Sequence, residues 1–210
     1  MTSADAPEPM VKSHDGIFGQ SGRPDADLEA RCLQVLSRLR ACSDADALAA
    51  LADPREIHRT LYCDLAPEDC PEAAGNFRGS EYPALKNSVV LFSFNSTEGT
   101  TNIAWPQHVH ELMQQYADFV RKIDLGEAKA IENKLEFIAR LMIFLGYTHP
   151  FIDGNGHIQR ITAQCLIERA GFKMTSAWRI HPCPYGEQTH RALAAHDTSV
   201  VAEMLGRFVG

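Results

Sequence analysis

The stretch AKAIENKLEFIARLMIFLGYTHPFIDGNGHIQRITAQCLIERAG, Ala128 to Gly171, decides the fold. Ala128, Ile131, Leu135, Ile138, Met142 and Leu145 recur at helical spacing. Leu141 to Leu145 is apolar all round, the pattern of a helix buried at the centre of a bundle. Pro150 stops that helix. Helical spacing resumes near Gly156 and runs to Ala170, with Ile158, Ile161, Cys165 and Leu166 facing inward. Gly171 then serves as a C′ glycine.

Reading outward, Val109, Leu112, Met113, Tyr116 and Val120 mark a helix after Pro106, and short helices are predicted near 186–196 and 198–208. Upstream, Leu28, Cys32, Leu36 and Leu39 mark a helix over 25–42, followed by short helices at 44–51 and 54–61. Residues 73–88, rich in Gly, Asn and Pro, read as an ordered loop. VVLFSF at 89–94, a turn cluster at 95–101 and Asn102-Ile103-Ala104 read as a short β-hairpin or flap. Residues 1–24 read as a mobile arm, 25–72 as an N-terminal helical segment and 73–208 as the core. The expected fold class is mainly α, a helical bundle carrying one β-hairpin flap.

Composition removes several functions. The chain has 210 residues, and 20 basic against 27 acidic side chains leave a net charge of −7. That balance argues against general affinity for nucleic acid or an anionic membrane, so neither is an expected partner. An apolar share of 45% fits a globular protein. No apolar run reaches the roughly 20 residues a spanning helix needs. Residues 1–23 lack the apolar run of a signal peptide. The six cysteines, at 32, 42, 63, 70, 165 and 183, form no C-x-x-C pair and read as thiols in a reducing cytosol. A cytoplasmic location is therefore expected, and a protein delivered into another cell would equally lack a signal peptide.

One segment carries chemistry. HPFIDGNGHIQR, His149 to Arg160, joins the two central helices. Asp153-Gly154-Asn155-Gly156 can turn successive N–H groups inward, and the helix that follows adds its unpaired amides and positive dipole end. The glycines permit close approach of backbone to oxygen atoms. His149 is a candidate general base. Asp153 is a hard carboxylate suited to Mg²⁺ beside phosphates. Asn155 can hold the loop or touch phosphate. His157 and Arg160 share a helix face, and Arg160 can fork onto a phosphate. The plainer alternatives are a core histidine at 149, a turn or N-cap aspartate at 153, ordinary turn glycines and a surface ion pair at Arg160. Of the other histidines, His108 and His110 read as solvated, and His181, His190 and His196 fit no zinc spacing. Arg78 could touch nucleotide or target, or form a loop salt bridge.

The segment resembles the signature of the Fic family, usually H-P-F-x-(D/E)-G-N-G-R-x-x-R. It agrees at His149, Pro150, Phe151, Asp153, Gly154, Asn155, Gly156 and Arg160, and has His157 where the family usually has Arg. Weaker likeness extends over roughly 73–208. The resemblance implies a Fic-type bundle and a protein adenylyltransferase using ATP as co-substrate and Mg²⁺. His149 would deprotonate a Ser, Thr or Tyr hydroxyl that attacks the α-phosphate. Asp153 would hold the metal, Gly154, Asn155, Gly156, His157 and Arg160 would bind nucleotide, and a target protein would dock on the 89–103 flap by strand addition. Imidazole at 157 is shorter than guanidinium and mostly neutral, so a weaker hold on the triphosphate or a changed nucleotide preference is expected. Two other outcomes follow from the same position: transfer of another nucleotidyl or phosphoryl group, or a weakened Fic-like nucleotide-binding regulator. The family's inhibitory pattern, (S/T)-x-x-x-E-(G/N), has only an imperfect match at Ser199 and Glu203, so a separate inhibitor protein is the expected arrangement if inhibition exists.

Overall fold

In the computed structural model, residues 25–90, 103–123 and 131–210 are described. The hairpin read at 89–103 lies outside the described residues over 91–102, as does the arm at 1–24. The helices are α1 (Asp25–Ala41), α2 (Asp44–Ala52), α3 (Arg55–Tyr62), α4 (Pro83–Lys86), α5 (Pro106–Arg121), α6 (Ile131–Thr148), α7 (Asn155–Arg169), α8 (Glu187–Ala194) and α9 (Thr198–Gly206). Among the described residues, β structure is limited to isolated pairing, such as Met174 with Val209.

The centre is α6, which packs against α5, α7, α8 and α9. Its Ile138, Ala139, Leu141, Met142 and Leu145 are buried, as the all-round apolar pattern requires. The second central helix, α7, is buried more completely than its apolar stripe foretells. Gln159, Arg160, Thr162 and Gln164 join Ile158, Ile161 and Leu166 inside. Buried polar side chains are tolerable only when bonded. Gln159 Nε2 donates to the Met142 carbonyl (2.7 Å), and Gln164 accepts from Trp178 Nε1 (3.1 Å). At the C-terminus of α7, Gly171 (φ 88°) donates to Glu168 O and Phe172 donates to Ile167 O, closing the orphan carbonyls as predicted.

The N-terminal helices pack onto the central helices through α5 and α7. α1 meets α3 and α7, and α2 meets α5. Arg169, at the end of α7, pairs with Asp44 and donates to the Leu39 and Cys42 carbonyls. All six cysteines are free thiols. Among the described residues, no helix is long and apolar enough to cross a membrane.

Candidate active site

The motif loop spans two helix ends, and each end is built differently. At the C-terminus of α6 the last helical bond is His149 N–H to Leu145 O (2.8 Å). His149 then takes φ 46°, the left-handed region, and Pro150 ends the helix. A helix C-terminus leaves carbonyls unsatisfied. Arg78 satisfies them: Nε donates to His149 O (2.7 Å) and Nη2 to Thr148 O (3.0 Å). The same guanidinium donates to Ser88 O (2.8 Å) and Ala104 O (3.1 Å), while the Arg78 N–H donates to Pro150 O (2.7 Å). Arg78 is wholly buried. It therefore binds backbone, not the loop carboxylate weighed from sequence. Burial lowers its pKa only to about 10, so it stays charged at neutral pH.

The loop itself is closed by Asn155. Its Oδ1 accepts from Phe151 N–H (3.0 Å) and its Nδ2 donates to Phe151 O (2.8 Å). Both ends of the buried amide are thus spent on holding the loop, the first of the two roles the sequence allows. Phe151 is wholly buried and stacks on His58, with centroids 3.8 Å apart.

α7 starts at Gly154, its N-cap, with φ 79°. A Cβ at this position would lie 2.3 Å from Tyr62 Cε2, so both conformation and space demand glycine. The Gly154 N–H donates to Asp153 Oδ1 (2.6 Å). His157 and Ile158 N–H turn onto Gly154 O. The first helical amides, those of Asn155 and Gly156, have no acceptor within the helix. Arg160 folds back onto this turn: a Cβ on Gly156 would lie 2.9 Å from its Nη1. Its Nε donates to Ile180 O (2.7 Å), and its guanidinium lies over the Tyr185 ring at 6.0 Å. Among the described residues, the ion pairs involve other arginines. Among the described residues Arg160 is therefore a buried cation in no ion pair, not the surface ion pair of the plainer reading. Glu203 pairs with Arg207 (2.6 Å) on the exposed face of α9, so it does not block the buried Arg160.

Three residues outside the motif complete the site, and sequence reasoning missed all three. His58 on α3 accepts from Gly75 N–H at Nδ1 (2.9 Å), which leaves Nε2–H to donate to the Asp153 carbonyl (2.9 Å). Tyr62, one turn further along α3, has its hydroxyl 2.7 Å from His157 Nδ1. His157 Nε2 lies 3.0 Å from His181 Nδ1, and those rings are roughly parallel, 5.1 Å apart. A signal existed: His58 and Tyr62 stand four apart on the same face as Ile57 and Leu61, so a polar pair is directed inward.

Burial sets the proton affinities. His149 is pushed down to about 3, first by desolvation and then by the Arg78 charge, against a bond to the Gly146 backbone. His58 falls to about 3, again mainly by burial. His157 falls to about 3 by burial, then by Arg160, His181 and His58. His149 is thus neutral at pH 7, with a proton affinity below that of a free imidazole. A neutral imidazole, an aspartate beside a helix N-terminus, the first-turn amides of α7 and a guanidinium in no ion pair among the described residues suit the handling of a phosphorylated substrate.

Comparison with known proteins agrees with this geometry. The sequence profile described as the Fic/DOC family matches residues 49–167, more than half of the chain. Solved structures with a similar fold include the BepC protein, a VirB-translocated effector from Bartonella tribocorum with bound AMPPNP. It is 14% identical with a TM-score of 0.59, and the match covers 98% of this chain and 95% of that one. The N-terminal Fic domain of a VirB-translocated Bep effector from Bartonella quintana, with bound ADP, is 15% identical with a TM-score of 0.59, covering 91% and 88%. A Bep Fic domain from Bartonella sp. AR 15-3 is 22% identical with a TM-score of 0.53, covering 90% and 87%.

Proposed function

Because the chain belongs to the Fic/DOC family, we propose that it transfers AMP from ATP to a Ser, Thr or Tyr hydroxyl of a target protein. The observation that carries this reading is Arg160, a buried guanidinium in no ion pair among the described residues, folded over Gly156 at the start of α7. A cation and a helix N-terminus converging on one spot favour phosphate. The nucleotide-bound Bartonella relatives point the same way.

In the proposed reaction His149 accepts the proton of the incoming hydroxyl. The hydroxyl oxygen bonds to the α-phosphorus, the bond from that phosphorus to the bridging oxygen of the β-phosphate breaks, and pyrophosphate leaves with the electron pair. A neutral His149 is in the protonation state this role needs. Its low proton affinity belongs to the unliganded pocket, and the negative charge of a bound polyphosphate would raise it. The Asn155 and Gly156 amides and Arg160 would steady charge on the phosphates. Asp153 would hold Mg²⁺, consistent with that ion's use of one or two carboxylates beside substrate phosphates, and the ion would supply charge neutralisation. The segment 89–103 would hold the target by strand addition, with Arg78 fixing both of its stems.

His157 favours a second reading, transfer of a different nucleotidyl or phosphoryl group, because position 157 brings no guanidinium. Incubation with lysate and α-labelled or γ-labelled ATP separates the two. Label from the α-position on protein is expected, and His149→Ala should abolish it. Label from the γ-position alone would indicate phosphoryl transfer. Nucleotide binding without any covalent label would indicate a binding module.

A further inference from the structure

The loop aspartate is held by a helix that lies 95 residues earlier in the chain. α3 lays two side chains, one turn apart, against two consecutive loop residues. His58 Nε2–H donates to the Asp153 carbonyl (2.9 Å). The Tyr62 ring fills the space beside Gly154, where a Cβ would lie 2.3 Å from its Cε2. The peptide between Asp153 and Gly154 is therefore held at both polar ends. His58 holds its carbonyl, and the Asp153 carboxylate itself takes its N–H (2.6 Å to Oδ1). Turning that peptide would break the first bond and swing the carboxylate that makes the second. The direction of the carboxylate is thus referred, through one peptide plane, to the His58 ring.

The ring in turn is fixed. Gly75 N–H donates to Nδ1 (2.9 Å), which puts the ring proton on Nε2. Gly75 packs directly on α3, since a Cβ there would lie 2.8 Å from Arg59 Cβ. The face of the His58 ring stacks on Phe151, 10° from parallel, and Asn155 pins Phe151 at both its N–H and its carbonyl. Tyr62 meets the ring at 4.6 Å between centroids. His58 is wholly buried, so the bond to Asp153 is made away from water. Among the described residues, no group of three or more metal-ligating side chains is gathered. Asp153 would then meet Mg²⁺ in a shell completed by substrate phosphates, the arrangement this ion ordinarily takes, and the aim of one carboxylate matters the more.

We propose that His58 is a positioning residue: by holding the Asp153 carbonyl it aims the Asp153 carboxylate at the metal that accompanies the nucleotide. The inference rests on the reading above, in which Asp153 holds Mg²⁺, and adds to it a residue outside the signature motif that acts through Asp153.

Calorimetry of the full chain with α,β-methylene-ATP, whose α–β bridge cannot be cleaved, gives one dissociation constant with Mg²⁺ and one with EDTA. Their ratio measures the metal's share of the affinity. His58→Phe keeps a buried ring on Phe151 and removes the Nε2–H donor. It should lower the ratio about tenfold, the usual scale for losing a hydrogen bond behind a metal ligand, and leave the EDTA constant within about threefold of the parent. His58→Gln supplies a donor again and should recover most of the ratio. A purely structural role would weaken both constants together. That outcome, or an unchanged ratio in folded His58→Phe, overturns the proposal. Nuclear magnetic resonance of the ¹⁵N-histidine-labelled parent needs no substitution at position 58. Adding Mg²⁺ to protein saturated with the analogue should shift the His58 Nε2 resonance, and the shift should vanish in Asp153→Ala. A resonance in the parent that ignores Mg²⁺ would count against the tie. Two results reach further back. Failure of the analogue to bind under either condition removes the nucleotide reading, and binding indifferent to Mg²⁺ removes the metal role of Asp153; either takes this inference with it.

Discussion

The two helix ends that flank the motif loop are finished in opposite ways. At the C-terminus of α6, Arg78 gives its guanidinium to Thr148, His149, Ser88 and Ala104 carbonyls. At the N-terminus of α7, Arg160 commits Nε to Ile180 O and shares the rest with Tyr185 and the space over Gly156. Both arginines are buried and neither has a carboxylate among the described ion pairs. One is consumed by folding, and the other keeps capacity for a ligand. Burial of a cation therefore says little about function until its donors are counted.

Breaking the α6 end should have the largest effect. Arg78→Met would leave buried carbonyls unpaired, with an expected loss of about 3–5 kcal/mol in urea unfolding, because each orphaned group costs about 1–3 kcal/mol. An unfolding free energy within about 1 kcal/mol of the parent would show that the guanidinium is not the clamp described.

Acid should loosen both ends and the loop between them. His149 and His58 titrate near 3 in the fold against about 6.5 unfolded. The unfolded chain thus binds more protons between those values. The stability they contribute is fully present above about pH 6.5 and falls as pH drops toward 3, by up to about 1.4 kcal/mol per pH unit for each residue. Urea midpoints followed from pH 7 to pH 4.5 should show this slope, and His58→Gln should make it shallower by roughly one proton. An unchanged slope would mean that His58 is already solvated.

The α7 end should respond in binding rather than in stability. Arg160→Lys keeps the charge but loses the planar fork, so nucleotide affinity is expected to fall about tenfold, or about 1.4 kcal/mol. Thermal unfolding should move by only a few degrees. A large drop in melting temperature with intact affinity would reverse the roles assigned to the two arginines.

Much of this arrangement was legible in the residues. The apolar run at 141–145, the helix stop at Pro150, the left-handed glycine at 154 and the C′ glycine at 171 are local features, and local chemistry writes them into sequence. Likeness of HPFIDGNGHIQR to a family signature added the family. What escaped was set by distance along the chain. His58 meets Asp153, and Tyr62 meets His157, across 95 residues. Arg78 left no signal because its partners are backbone carbonyls, which any residue type supplies. Nothing near His157 in the chain reveals Tyr62 and His181, its two partners in the fold. Gln159 and Gln164 are buried by partners distant in the chain, the Met142 carbonyl and Trp178.

One consequence of the Arg78 clamp concerns interchange. Ser88 and Ala104 are pinned to a single guanidinium, so the spacing of these two anchor points is set from outside the intervening stretch. Such a mount works like a socket. If the stretch between the anchors holds the target as proposed, grafting a foreign sequence there would change the target while the imidazole at the end of α6 keeps its seat.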